Sequence, residues 1–272
     1  MKRPSRPHRV SSALRRVPAH LVQKRLTWII LTLCAASTFP VPLHAQQAHW
    51  SLSGSVGYAF LSLTQVDGDN ASDVEGWNVL GIPIGPLGSL KQSTLFSARL
   101  AYRSTKEIGF SLTVHDQSKE VSTSYEGTDA TLSLRRGAGS TDVLLGINYY
   151  PPEQPYFLEW YVEVGVGVIV GRANANAHGT QTVKVAGMPT LAPLVETDAT
   201  YKKSRTAVAF CLGADMKIFR PIFIHFEGAY RFAPLGTLDG DVTRSGQHST
   251  QPSVAEFDYS GLLLSGGIGI EF

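Results

Sequence analysis

Two histidines of this 272-residue chain stand beside residues that could take part in proton-transfer chemistry. His115 follows Ser111 and Thr113 at alternate positions, and His225 precedes Glu227 in the same way. A hydrolytic site needs a nucleophile, a base and an orienting acid within hydrogen-bond reach of one another. No His-x-Ser-like signature accompanies either histidine. We therefore interpret both as hydrogen-bonding groups in a protein interior, and we predict that the protein is not an enzyme.

Charged side chains also recur on the polar face of otherwise apolar alternating stretches, among Gly, Ser and Ala residues. A buried charge without a partner is costly, so these side chains should pair with one another across an interior. The predicted charge network consists of Arg99, Arg103, Glu159, Glu163, Arg205, Asp215, Glu227, Arg231 and Glu271. Arg99 should pair with Glu163 or Glu227, since these positions fall at similar depths in their stretches.

Acidic residues cluster at Asp67, Asp69, Asp73 and Glu75. Carboxylates at such positions could offer oxygen ligands to Ca²⁺, but the cluster lacks the full ligand spacing of a calcium-binding loop. A solvated acidic turn is the simpler interpretation. We predict no metal site and no cofactor.

Eight stretches of alternating apolar and small or polar residues must position these groups. Side chains alternate faces along a strand, so each stretch carries one apolar stripe. Their lengths approach the ~9–11 residues that a tilted strand needs to cross a bilayer. The stretches lie at residues 50–60, 96–103, 108–115, 143–149, 158–170, 205–216, 222–232 and 261–272.

The connections between the stretches alternate in length. Three are short, at 104–107, 151–156 and 217–221, and four are long and polar, near 64–92, 116–141, 172–203 and 233–257. This alternation is typical of a transmembrane barrel whose termini lie on the periplasmic side. The connection at 172–203 is more apolar than a solvated loop requires. It either extends the fifth and sixth strands above the membrane or folds over the barrel mouth.

The N-terminal region, residues 1–45, predicts a cleaved signal peptide. Its first 25 residues hold eight basic residues and no acidic one, and an apolar run over 26–36 and a small-residue site near Ala45 follow. Cleavage would leave 16 basic residues against 22 acidic ones. Such a mature chain has no basic patch for nucleic acid. Only Cys211 would remain, so no intrachain disulfide can form.

Aromatic residues mark the two ends of the stretches. Those near the short connections are Trp50, Tyr102, Tyr149, Trp160 and Phe272, and those near the long ones are Phe60, Phe96, Tyr230 and Phe232. Two such girdles are expected at the two membrane interfaces. A soluble barrel or sandwich with the same alternation would instead bury its apolar face and show the polar face to water.

The last stretch ends on Phe272, with Ile270 and Ile268 in the same stripe. With the signal peptide, the strand count and the loop alternation, this ending resembles the small outer-membrane β-barrels of the OmpA, OmpX and OmpW types. The resemblance covers the whole mature chain, without resolving the subfamily. It implies that the terminal strand is an assembly signal read by the barrel-insertion machinery, and that it pairs with the first strand.

These observations predict an all-β fold, an eight-stranded antiparallel transmembrane β-barrel with up-and-down meander topology, spanning residues 46–272 as a monomer in the outer membrane. Eight strands leave a lumen that side chains can fill. The expected function is structural or surface-interacting through extracellular loops, in contact with outer-membrane lipid and lipopolysaccharide. A transporter or channel for small or hydrophobic molecules is the alternative, and a lipid-modifying enzyme is the third.

Overall fold

The computed structural model describes residues 49–185 and 188–272. The predicted signal peptide at 1–45 lies outside the described residues. The elements are β1 (His49–Leu61), α1 (Thr64–Val79), β2 (Gln92–Arg103), β3 (Ile108–Glu126), β4 (Ala130–Tyr149), β5 (Leu158–Val185), β6 (Met188–Phe219), β7 (Ile222–Phe232), β8 (Pro234–Arg244), β9 (Gln247–Asp258) and β10 (Gly261–Glu271).

Eight of the strands close into a ring of antiparallel pairs. The order around the ring is β1, β2, β3, β4, β5, β6, β7 and β10, and β10 pairs with β1 to complete it. The predicted eight-stranded antiparallel barrel is therefore confirmed. We call the end with the three short turns and with residues 49 and 272 the lower end, and the opposite end the upper end.

The alternation of side chains gives the barrel an apolar exterior and a mostly polar interior. Val164 is 50% exposed on the outside, whereas Glu163 beside it is buried inside. Leu145, Ile147 and Ile268 are likewise exposed outside. An apolar belt around a closed sheet is stable in lipid, because lipid tails cover it and the closed ring leaves no strand edge unpaired.

The barrel wall is much taller on one side than on the other. The strands β1, β2, β7 and β10 have 11–13 residues, whereas β3 and β4 have 19 and 20 and β5 and β6 have 28 and 32. Above the ring, the long strands continue as an open sheet in the order β3, β4, β5, β6, β8 and β9. We call this six-stranded part the upper sheet.

The hairpin of β8 and β9 was not predicted. Its turn at Ser245 and Gly246 has positive φ at both residues, 48° and 78°. Positive φ at both central positions is typical of the type I′ turn of a two-residue hairpin, and glycine adopts it without steric cost. β8 then pairs with β6 between Thr197 and Lys202 and so joins the upper sheet.

The helix α1 packs against the upper sheet. Val74 of α1 and Ile82 and Ile84 after it form an apolar cluster with Leu132 and Leu134 of β4. A salt bridge of 2.8 Å from Arg136 to Asp73 adds a polar contact at the same interface. Among the described residues, no helix is both long enough and apolar enough to cross a membrane.

Three of the four connections predicted as long loops form regular β structure. The segment 116–141 is a hairpin of β3 and β4, 172–203 extends β5 and β6, and 233–257 holds β8 and β9, while α1 lies within 64–92. For residues 172–203, the structure therefore shows the first of the two predicted alternatives, the extension of the fifth and sixth strands. On the inner face of the extension, Ala177, Leu194 and Val195 pack in the same apolar cluster as Val74 of α1. Its outer face carries polar residues such as His178, so it has fewer apolar residues than the barrel.

An apolar cap fills the upper end of the lumen. The first connection contributes Leu63, Val66 and Leu90, and the last contributes Leu235, Leu238, Phe257 and Tyr259, all buried. These side chains pack on inward residues of the ring such as Leu144 and Ile169. The cap therefore closes the barrel from above with close-packed apolar atoms.

Phe272 closes the ring at its lower end. Its backbone N–H donates to the Trp50 carbonyl at 2.8 Å and its carbonyl accepts from the Trp50 N–H at 3.0 Å. Deleting Phe272 removes this backbone pair and the terminal aromatic side chain. We expect the deletion to reduce assembled barrel several-fold, measured as the heat-modifiable band on a denaturing gel, while export of the chain is unchanged. Phe219→Ala, at an exposed aromatic residue of a lower turn, is the control, and equal loss in both variants would contradict the assigned role.

Candidate functional site: the charged lumen

The inward faces of seven ring strands bring charged side chains into the lumen. Arg99 of β2 and Glu163 of β5 form its lower buried pair, with Nη2 and Oε2 3.1 Å apart. The Nη2 group of Arg99 also donates to Asn148 Oδ1 at 3.0 Å, and its guanidinium lies 4.3 Å from the centre of the Tyr161 ring. Arg99 is 2% exposed. This pairing satisfies a cation that would be very costly to bury alone.

A second set of contacts forms a chain across the lumen. Asp215 Oδ1 lies 2.6 Å from His225 Nδ1, and His225 Nε2 lies 3.4 Å from Glu227 Oε2. On the other side of Glu227, Oε1 lies 3.5 Å from His115 Nε2, outside hydrogen-bond geometry. We call the series of Asp215, His225, Glu227, His115, Asp142 and Arg231 the His–carboxylate chain.

The chain ends at an arginine. His115 Nδ1 lies 3.0 Å from Asp142 Oδ2, and Arg231 Nη1 donates to Asp142 Oδ1 at 2.7 Å. Arg231 is completely buried and also donates to the Tyr259 carbonyl, at 2.9 Å from Nη2. The order of the chain is therefore Asp215, His225, Glu227, His115, Asp142 and Arg231.

A third cluster surrounds the lower mouth and is partly open to solvent. Arg103 lies 3.3 Å from Glu159, and Lys217 lies 2.8 Å from Glu159 and 3.7 Å from Glu271. The Arg103 guanidinium also lies 4.4 Å from the centre of the Tyr150 ring. These groups line a cavity of about 30 Å³. Because water screens such contacts, removing one partner here should cost much less than removing one partner of the buried pair of Arg99 and Glu163.

The structure thus places the predicted charge network in two groups and one outlier. Arg99, Glu163, Asp215, Glu227 and Arg231 are buried. Arg103, Glu159 and Glu271 lie at the lower mouth. Arg205 is exposed and donates to the Pro234 carbonyl at 2.7 Å, so it lies apart from the lumen charges.

Sequence reasoning missed two members of these clusters. Asp142 precedes the start of the fourth predicted stretch, although its inward position follows from the alternation through Leu144, Gly146 and Asn148. The sequence pattern places Lys217 in a short turn, whereas β6 continues to Phe219. Both residues lie just beyond the ends of the apolar alternating stretches, where the pattern no longer marks the strand.

The arrangement of the histidines does not form a catalytic triad. Each imidazole has a carboxylate near both ring nitrogens, so neither nitrogen faces a hydroxyl or thiol. A general base must reach the proton that it removes from a nucleophile. Within residues 49–185 and 188–272, no three His, Cys, Asp or Glu side chains are arranged to hold a metal ion. The chemistry that the geometry supports is charge pairing and proton exchange within the lumen.

The acidic residues of the first connection serve structural contacts. Asp67 accepts hydrogen bonds from the Ser89 hydroxyl at 2.5 Å and from the Leu90 N–H at 2.9 Å. Asp73 pairs with Arg136. A cavity of about 250 Å³ beside them is lined mainly by apolar atoms, including those of Ala71. It is an open depression on α1 rather than a ligand pocket with converging polar groups.

The comparisons with known proteins find small outer-membrane β-barrels among solved structures. OprG from Pseudomonas aeruginosa matches with a TM-score of 0.44 and 11% identity, covering 83% of this chain and 96% of that one. A major outer-membrane protein of Thermus thermophilus matches with a TM-score of 0.46 and 11% identity, covering 84% of this chain and 100% of that one. Ail, the attachment invasion locus protein of Yersinia pestis, matches with a TM-score of 0.40 and 11% identity, covering 84% of this chain and 100% of that one. No family model and no curated protein matches the chain.

The chain is similar to small outer-membrane β-barrels at the level of fold. The closed ring of eight strands, the apolar exterior and the charged interior of the chain itself carry this assignment. These are the features of a protein of the outer membrane.

Proposed function

We propose that this protein is a non-enzymatic outer-membrane barrel that acts as a structural or surface-interacting protein through its upper sheet, on the extracellular side. The observation that carries the proposal is the filled lumen. Buried charge pairs occupy its middle and the apolar cap occupies its upper end. A barrel filled in this way offers its ligands an outer surface rather than a channel.

The upper sheet supplies such a surface. Its outer face is polar and held by cross-strand contacts, such as His178 to Asp198 at 3.0 Å and Thr131 to Thr180 at 2.9 Å. Arg135 lies 2.5 Å from Glu120, and this hydrogen bond raises the pKa of the arginine. Ordered β structure above a membrane keeps binding groups in fixed positions, which reduces the entropy lost on association.

The partners follow from the two surfaces of the barrel. The apolar belt of outward side chains is complementary to outer-membrane lipid, and the polar upper sheet stands beside the sugars of lipopolysaccharide. During assembly, the terminal strand with Ile268, Ile270 and Phe272 is the segment proposed to engage the barrel-insertion machinery.

Planar-bilayer recordings test the filled lumen. The wild-type protein is expected to give no large, steady conductance, because the buried pair of Arg99 and Glu163 and the apolar cap block hydrated ions. An open porin reconstituted in the same way serves as the positive control. Steady conductance of the porin kind from the folded wild-type barrel would contradict the proposal and favour the transport alternative.

A further inference from the structure

One strand carries an inward column of polar side chains through the lumen. At alternate positions of β3 lie Ser111, Thr113, His115 and Gln117, each at most 5% exposed. Among the described residues, Ser111 Oγ, Thr113 Oγ1, His115 Nε2 and Gln117 Oε1 have no hydrogen-bond partner. We call this series the polar column.

Inward groups on other strands of the ring are in the same condition. They are the hydroxyls of Ser93 and Tyr161 and the amide nitrogen of Asn148, which are also buried without a partner among the described residues. A buried polar group left unsatisfied destabilises the folded state. Seven of them would together offset most of the marginal stability of a folded domain. Internal water is the general solution, with about three hydrogen bonds per buried molecule.

The spacing of the polar column can be bridged by water. Alternate residues of a strand are roughly 6.6 Å apart along the strand. Two hydrogen bonds that meet at the near-tetrahedral angle of a water molecule join heavy atoms roughly 4.5–5 Å apart. One or two waters between successive side chains therefore suffice to link Ser111, Thr113 and His115 into a continuous file.

The lower end of the polar column meets the cavity at the lower mouth. Ser111 pairs in register with Ala101, and Ala101 lines the cavity of about 30 Å³ together with Arg103 and Lys217. This volume can hold a water molecule. Asp215, the lower end of the His–carboxylate chain, lines the same cavity. Water at the lower mouth therefore lies beside both the polar column and Asp215. The route from Asp215 is interrupted between Glu227 and His115, which are 3.5 Å apart and outside hydrogen-bond geometry.

The upper end of the polar column is closed. Gln117 pairs in register with Leu95, which is 1% exposed and belongs to the same apolar cluster as Leu61 and Leu90. On the same side of His115, Arg231 is completely buried on Asp142. The guanidinium of Arg231, which shares Asp142 with His115, repels an incoming proton. Apolar packing and this charge together separate His115 from the solution at the upper end of the barrel.

We propose that a file of bound water enters from the lower mouth and runs along β3 to His115. The His–carboxylate chain then exchanges protons with the solution at the lower end of the barrel and not with the solution at the upper end. The groups that face His115 are Asp142 from β4 and Glu227 from β7, with Arg231 beyond Asp142. Those that face His225 are Asp215 from β6, Glu227 of its own strand and the Tyr161 ring from β5. The path is independent of the upper sheet, so its failure leaves the proposed function standing.

Hydrogen exchange of the imidazole N–H groups tests this path in the full mature chain, with ¹⁵N-histidine and the barrel in lipid bilayers. In the wild type, the ring N–H of His115 that faces Asp142 should exchange within the experiment although the residue is 2% exposed. Ser111→Val removes a water-binding hydroxyl and narrows the lower end of the polar column. We expect it to slow the exchange at least tenfold.

Three further variants make the result specific. Ala101→Val narrows the entrance from the cavity and should slow the exchange as well, so it replaces Ser111→Val if that variant does not assemble. Ser55→Val, at an inward serine on β1 that lies two strands from His115 and donates to Ser265, should leave the rate unchanged. Ser93→Val at the upper end should also leave it unchanged. Absent exchange in the wild type, an unchanged rate in both lower variants, or equal slowing by Ser93→Val would overturn the proposal.

Discussion

The substitution Val164→Arg is expected to lower the free energy of unfolding of the barrel by about 2–4 kcal/mol, which is the range for a basic residue at the bilayer midplane on the lipid face of a barrel. Val164 points outward from the middle of the membrane-spanning part of β5, between Val162 and Val166, and all three are exposed outside the ring. Arginine at this depth must either leave water or distort the bilayer. Reversible unfolding in lipid vesicles, followed with urea, measures the change.

The control variant tests the depth of the arginine in the membrane. Thr206→Arg places the same side chain on the outer face near the upper end of the apolar belt, where Thr206 pairs with Val168. The expected change there is about 0–1 kcal/mol. Equal effects of Val164→Arg and Thr206→Arg would contradict the placement of Val164 at the midplane.

The second large effect concerns the buried pair in the lumen. Arg99→Met leaves Glu163 buried without its cation, and removal of one partner of a buried ion pair costs about 3–5 kcal/mol. Adding Glu163→Gln to Arg99→Met should restore a large part of the lost stability, because the uncompensated charge is then gone. The same unfolding measurement in lipid vesicles tests both variants.

The lower mouth provides the matched control for this prediction. Arg103→Met removes a similar side chain, but Arg103 is 23% exposed and its partner Glu159 keeps Lys217. The expected loss is about 0–1 kcal/mol. If the double variant were no more stable than Arg99→Met alone, the ion pair would not be the reason for the loss.

The sequence was sufficient to predict the ring itself, because the residues that face lipid must be apolar at every second position. The stretch around Val164 and the stripe that ends at Phe272 show this pattern without interruption. The prediction that Arg99 would face Glu163 or Glu227 relied on the same regularity. Within the lumen, however, Glu227 contacts the two histidines and only Glu163 contacts Arg99.

The parts that sequence reasoning missed obey weaker rules. Above the membrane, β3 and β4 need only one apolar face, and their solvent face contains residues such as Ser122 and Ser133 that also suit loops. The helix α1 has Gly68 and Gly76 in its sequence and no side-chain cap at its start, so it shows little intrinsic preference for a helix. Packing on Leu132 and Leu134 stabilises it, and such tertiary contacts cannot be read from a local pattern.

Labelling of intact cells tests the central claim most directly, namely that the barrel spans the outer membrane with its upper sheet outside. Leu191, near the upper end of the extended hairpin of β5 and β6, is 73% exposed, and Tyr156, in a lower turn, is 75% exposed. A membrane-impermeant maleimide should therefore label Leu191→Cys on intact cells. It should label Tyr156→Cys only after the outer membrane is permeabilised, while the buried native Cys211 stays unlabelled in both. Labelling of Tyr156→Cys but not Leu191→Cys on intact cells, or recovery of the protein in the soluble periplasmic fraction, would contradict the account.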